Sequence, residues 1–95
     1  MYVPEFFEKG ETVKKAVVRD FENAFYPVKP LVSNIEIVHD RAVLELYRGC
    51  ASGCRFCQAG FYYRSIRERS AEKNLENAKA MLKNTGFDEM SLSSL

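Results

Sequence analysis

Ala42-Val43-Leu44-Glu45-Leu46-Tyr47, closed by Arg48-Gly49 and followed at once by Cys50-Ala51-Ser52-Gly53-Cys54-Arg55-Phe56-Cys57, is the stretch on which the fold turns. Its first six residues are mostly apolar with β-branched and aromatic members, the composition of a strand buried on at least one face. Three thiols follow within eight residues. Further on, Ser70 is placed to cap a helix with Glu72 in its first turn. Ala71, Leu75, Ala78 and Leu82 recur at helical spacing with Met81 alongside, and Gly86 closes the helix. Met90-Ser91-Leu92-Ser93-Ser94-Leu95 then alternates as a second strand. Strand, loop, helix and strand over residues 42 to 95 make a βαβ unit, which predicts parallel strands joined by a right-handed crossover. Ligands of such sheets sit beyond the carboxyl ends of the strands, where this chain carries its thiols.

Residues 1 to 41 differ in character. Tyr2-Val3-Pro4-Glu5-Phe6-Phe7-Glu8 and residues 12 to 19 flank Lys9-Gly10-Glu11, a turn signal, so a β-hairpin is expected, with Phe6, Val13 and Val17 among its apolar members. A helix over residues 11 to 25 competes, weakened by the β-branched pair Val17-Val18. Pro27 and Pro30 make residues 26 to 34 an extended connector. Ile35-Glu36-Ile37-Val38 reads as a brief strand and His39-Asp40 as a turn into the cysteine strand. The expected organisation is a β-rich connector over 1 to 41 and an α/β segment, the βαβ unit, over 42 to 95.

Composition narrows the classes. At 46% hydrophobic and 28% charged over 95 residues, the chain is that of one small globular domain rather than a disordered or fibrous one. No run approaches the roughly 18 apolar residues that span a bilayer, and the first residues lack a signal peptide's basic and apolar regions, so a cytoplasmic protein is expected. A net charge of +1 does not advertise a polyanionic partner for the chain as a whole. Locally the balance shifts. Residues 41 to 69 hold six arginines, Arg41, Arg48, Arg55, Arg64, Arg67 and Arg69, against Glu45 and Glu68. With Phe61, Tyr62 and Tyr63 interleaved, that stretch suits an anionic cofactor or an RNA, and equally a solvated arginine face with core aromatics.

An odd number of cysteines forms no closed set of disulfides, and a cytosolic chain keeps its thiols reduced. Thiolates this crowded repel one another unless a cation neutralises them, which points to metal. A structural zinc takes four ligands, and only His39 could complete that set from this chain, although a turn histidine bonded to its neighbours is the plainer expectation. A 4Fe-4S cluster on three cysteines leaves one iron open to a bound molecule. An incidental thiol cluster is the bland alternative. Glu45 interrupts an apolar strand, and either faces a ligand or marks an exposed edge.

The CxxxCxxC spacing, with Phe56 before the third cysteine, resembles the signature of the radical S-adenosylmethionine enzymes. The longer stretch from Ile35 through Cys50, with Cys54-Arg55-Phe56-Cys57-Gln58-Ala59-Gly60-Phe61, is similar to a bacterial subgroup carrying a cobalamin-binding-like domain before the barrel. The resemblance implies a partial (β/α) barrel and a 4Fe-4S cluster on Cys50, Cys54 and Cys57. It also implies S-adenosylmethionine cleaved to a 5'-deoxyadenosyl radical with Phe56 on its adenine side, and a flavodoxin- or ferredoxin-type electron donor. Cobalamin would belong to the longer parent only. Ser91, Ser93 and Ser94 stand where related enzymes carry a glycine-rich acidic segment. A barrel needs several βα units, so the chain reads as a fragment whose exposed sheet edges favour self-association and whose turnover needs the rest of the enzyme. The alternative is a zinc-binding module gripping RNA or protein through its arginine and aromatic stretch.

Overall fold

The computed structural model describes residues 3–94. Its centre is a three-stranded sheet in which β1 (Ala42–Arg48) lies between β2 (Arg67–Glu68), antiparallel to it, and β3 (Met90–Ser94), parallel to it. Two helices accompany the sheet, a single turn α1 (Ala59–Tyr62) and the long α2 (Ala71–Thr85). The chain is therefore mixed α/β, and β1, α2 and β3 form the expected parallel βαβ unit. Tyr2, expected in the first hairpin arm, and Leu95, expected in the last strand, lie outside the described residues. Among the described residues no helix is long and apolar enough to cross a membrane.

α2 begins and ends where its sequence signals say. The Ser70 hydroxyl accepts a hydrogen bond from the Lys73 N–H at 3.1 Å, satisfying one of the orphan donors of the first turn. Ser70 in turn donates its hydroxyl and its N–H to the Glu22 carboxylate, at 2.6 and 2.7 Å. A negative charge there also suits the positive end of the helix dipole. At the other end Gly86 takes a φ of 77° and donates its N–H to the Leu82 carbonyl at 2.9 Å. The buried line of the helix is Asn77 and Met81, whereas Leu75 is 56% exposed. The helix is thus rolled on the sheet relative to the apolar stripe read from the sequence.

Ala42 and Leu44 of β1 are buried with Met81, and the register sets Ala42 opposite Met90 and Leu44 opposite Leu92. Between Glu45 and Tyr47 the pairing with β3 slips, leaving Leu46 without a register partner. On the other side of β1, β2 covers only Tyr47 and Arg48. Side chains complete that edge. The Tyr26 hydroxyl donates to the Val43 carbonyl and accepts from the Glu45 N–H, both at 3.0 Å, and Arg69 reaches the Glu45 carbonyl at 3.3 Å. Backbone groups that a longer β2 would pair are satisfied in this way.

The β-hairpin expected near the start does not form, and among the described residues nothing before Ala42 is strand. Its turn is present, since the Glu11 N–H meets the Glu8 carbonyl at 3.0 Å and Gly10 has a φ of 96°. The arms diverge instead of pairing. Pro4, which has no N–H to give a ladder, opens a 3-10 turn over Pro4–Phe6, while residues 12 to 19 run exposed and irregular. The competing helix over 11 to 25 is absent as well. Ile35-Glu36-Ile37-Val38 is not a strand either, because Ser33 takes the Ile35 N–H and donates to the Ile35 carbonyl, a local turn that competes with pairing. Residues 3 to 41 are therefore an irregular connector, not a β-rich one. Phe21 is the one buried residue in it, with the Arg69 guanidinium 4.0 Å and that of Arg48 5.3 Å from its ring centre.

Candidate metal centre

The cysteine loop leaves β1 through Gly49, whose φ of 110° is forbidden to most side chains. A Cβ there would lie 2.7 Å from the Ser65 carbonyl oxygen and 2.8 Å from that of Tyr63. Backbone therefore packs on backbone at the exit, and the Cys50 N–H locks the contact by donating to the Tyr63 carbonyl at 3.2 Å. Ser65, φ 74°, holds the facing strand of chain in the same uncommon region. Beyond Cys50 the loop turns again at Gly53, φ 63°, which rests against Gly60 at the start of α1. A Cβ on Gly60 would come within 3.4 Å of the Gly53 nitrogen. A last turn is closed by the Cys57 N–H on the Cys54 carbonyl at 3.1 Å. Arg55 and Phe56 form its tip, and Phe56 is 93% exposed, so it packs against no core.

All three thiols are free. Cys50 and Cys57 are half-buried and Cys54 is exposed. Cys50 borders a cleft of about 390 Å³ with Gly53, Gly60, Arg64 and Ser65. The N–H of Ser52 and then its hydroxyl hold the Cys50 thiol below the usual thiol range by stabilising the thiolate. Among the described residues no three His, Cys, Asp or Glu side chains converge as a single metal ion requires. A tetrahedral zinc would draw its sulfurs in to about 2.3 Å from one centre. A cubane places each cysteine on a different iron and asks for sulfurs spread around a larger body.

His39 does not join the cysteines. It sits in the turn before β1, whereas the thiols follow the other end, and β1 at about 3.3 Å per residue puts roughly 20 Å between them. Its Nδ1 accepts from Arg41 Nη2 at 2.8 Å, the neighbour-bonded turn histidine of the plainer expectation.

A second cleft of about 510 Å³ opens at the carboxyl ends of β1 and β3, bordered by Lys15, Glu45, Arg48, Arg67 and Ser93 among others. Glu45 is neither an edge ornament nor free to act alone. Arg48 clamps its carboxylate at 2.6 and 3.0 Å. Arg69, the buried arginine, lies 3.9 Å from the same carboxylate, with its Nε unpartnered. Sequence reasoning missed this cluster, α1, β2 and the Gly49 contact. Gly49 alone left a sign, as a glycine between strand and first thiol. No family model matches the chain, and no curated protein or solved structure matches it.

Proposed function

We propose that this chain carries the cluster loop of a radical S-adenosylmethionine enzyme, with Cys50, Cys54 and Cys57 holding a 4Fe-4S cluster and leaving one iron for the cofactor. The observation that supports it is the placement of the donor set. CxxxCxxC starts two residues past the carboxyl end of β1, the centre of the sheet and one of its parallel pair, where α/β sheets take their ligands. When bound, the cluster supplies the electron that splits S-adenosylmethionine into methionine and a 5'-deoxyadenosyl radical.

The chain's own residues prepare the site. Gly49 fixes the direction in which the loop departs, since the close approach to Ser65 and Tyr63 leaves no other residue room. Ser52 favours the thiolate of Cys50, the form that ligates metal. Phe56, exposed at the loop tip, is the aromatic for the adenine side of the cofactor. Arg64, beside Cys50 in the cleft, brings positive charge toward a site that three thiolates make anionic.

The finer architecture belongs to the same proposal. β1, α2 and β3 open a partial (β/α) barrel, a reading supported by a groove of about 520 Å³ between α2 and the sheet, where Leu75 and Leu92 stay more than half exposed. A flavodoxin- or ferredoxin-type protein in the cytoplasm would deliver the electron. Anaerobic reconstitution with iron and sulfide, followed by electron paramagnetic resonance of the reduced chain with and without S-adenosylmethionine, tests the proposal. A cubane signal that changes when S-adenosylmethionine is added is expected. A spectrum indifferent to it, or stoichiometric zinc in place of iron, would sink the idea.

A further inference from the structure

Beside the cysteine cleft, exposed rings stand next to cationic side chains, of which the cluster reading uses only Arg64. Phe61 and Tyr62 are each 65% exposed, although both sit on α1 in the middle of the chain, where a core would be expected to claim them. Each ring carries a cation. The Arg64 guanidinium lies 5.9 Å from the Phe61 ring centre, and Lys15 Nζ lies 4.4 Å from that of Tyr62 and 4.6 Å from that of Tyr63. Tyr62 and Tyr63 meet edge to face at 5.0 Å, which holds the Tyr62 ring in place.

These residues join the two clefts into one surface. Arg64 borders the cysteine cleft and covers Phe61, while Lys15 and Tyr63 border the second cleft with Arg48 and Arg67. Among the described residues Glu45 is the one carboxylate lining that second cleft, and Arg48 already neutralises it. Arg67 spends its Nε on the Ser65 carbonyl at 3.3 Å, and among the described residues its two Nη groups have no hydrogen-bond partner. Lys15 gives one of three donors, to the Tyr62 carbonyl at 2.9 Å. Cationic groups therefore alternate with exposed rings, each with a cation beside it, from the lining of the second cleft, through α1, to that of the cysteine cleft. Such alternation is what a strand of unpaired nucleotides recognises, with phosphates on the cations and bases on the ring faces. A polyanionic peptide would use the charges and leave the rings idle, and a duplex keeps its bases stacked away from them.

We infer that this surface binds single-stranded nucleic acid, with Phe61 and Tyr62 as stacking platforms and Lys15 and Arg67 as phosphate contacts, and delivers it to the cysteine cleft. As the substrate of the cluster chemistry the strand rests on the proposed function; as a bound ligand it rests on the surface alone.

Fluorescence anisotropy with labelled ten-nucleotide oligo-U and oligo-dT, on the whole chain before and after anaerobic reconstitution, separates the two. Binding is expected in the metal-free chain, weakened about tenfold by Phe61→Ala and by Tyr62→Ala. In Lys15→Ala the slope of log K against log salt should fall in magnitude by about 0.7. Preference for oligo-U over oligo-dT would name RNA as the source, and equal binding would leave the shared single-strand chemistry standing. Duplex DNA or polyglutamate binding as tightly as oligo-U, with no loss in Phe61→Ala and Tyr62→Ala, would overturn the inference, as would no binding at low salt. A chain that binds oligo-U but assembles no cluster keeps this inference and loses the proposed function. A chain with a cluster and no oligo-U binding does the reverse.

Discussion

Residues 3 to 41 and residues 42 to 94 are built by different means. The second region is made of ladders and caps, in which each strand or helix supplies its own backbone partners and local sequence says where it starts and stops. The first has among its described residues only a 3-10 turn, and it holds to the rest through side chains from scattered positions. Lys15 reaches the Tyr62 carbonyl, Glu22 the cap of α2 and Tyr26 the edge of β1, while Val28 receives Asn84. The contrast teaches that a connector can be positioned by a few long-range contacts without a core of its own. It also concentrates the connector's energetics in very few residues.

The strongest way to break the comparison is Phe21→Ala. It removes the one buried residue of the connector from beneath two guanidinium groups, and is expected to cost about 4 kcal/mol in urea unfolding. Gly49→Ala comes next, at about 3 kcal/mol, since a Cβ meets two carbonyl oxygens in a conformation L-residues avoid. The same change at Gly10, also at positive φ but with nothing within 4 Å, should cost only about 1 kcal/mol. Equal losses at the two glycines would show that the loop exit is less tightly packed than described.

Ser70→Ala should cost about 1 kcal/mol by removing the cap of α2. The carboxylate behind that cap adds a pH dependence. The Ser70 hydroxyl, and then its N–H, hold Glu22 below the usual carboxylate range, so the folded value lies under the ordinary glutamate value of 4.5 that the unfolded chain has. The contribution is therefore complete above that pH and is lost as pH falls through the folded value. Helicity of α2 followed by circular dichroism should show this acid-side loss in the natural chain and not in Glu22→Gln. The smallest effect expected is that of Phe25→Ala. That ring is 90% exposed, and its removal should change the unfolding midpoint by less than about 0.5 kcal/mol.

The same division governs what the sequence disclosed. α2 was legible from Ser70 to Gly86 because capping and left-handed closure are local chemistry, and β1 and β3 because their apolar residues are contiguous or alternate. Lys9-Gly10-Glu11 did give a turn, but pairing of its arms depends on what else the chain offers, and Pro4 and the reach of Lys15 to Tyr62 draw those arms apart. β2 and α1, at two and four residues, are too short for any period to register. At the candidate site the three thiols could be read from spacing alone. Their relation to Tyr63 and Ser65, the burial of Arg69 and the distance of His39 could not, because each depends on how separate segments meet.

We propose Cys50, Cys54 and Cys57, past the carboxyl end of β1, as one ligand set for an iron–sulfur cluster. Iron and acid-labile sulfide counted per chain after anaerobic reconstitution, in the natural chain and in Cys50→Ala, Cys54→Ala, Cys57→Ala and His39→Ala, test it most directly. About four irons and as many sulfides are predicted for the natural chain and for His39→Ala, with the cluster lost or degraded in each cysteine variant. One zinc per chain, or iron uptake that the cysteine substitutions leave unchanged, would contradict it.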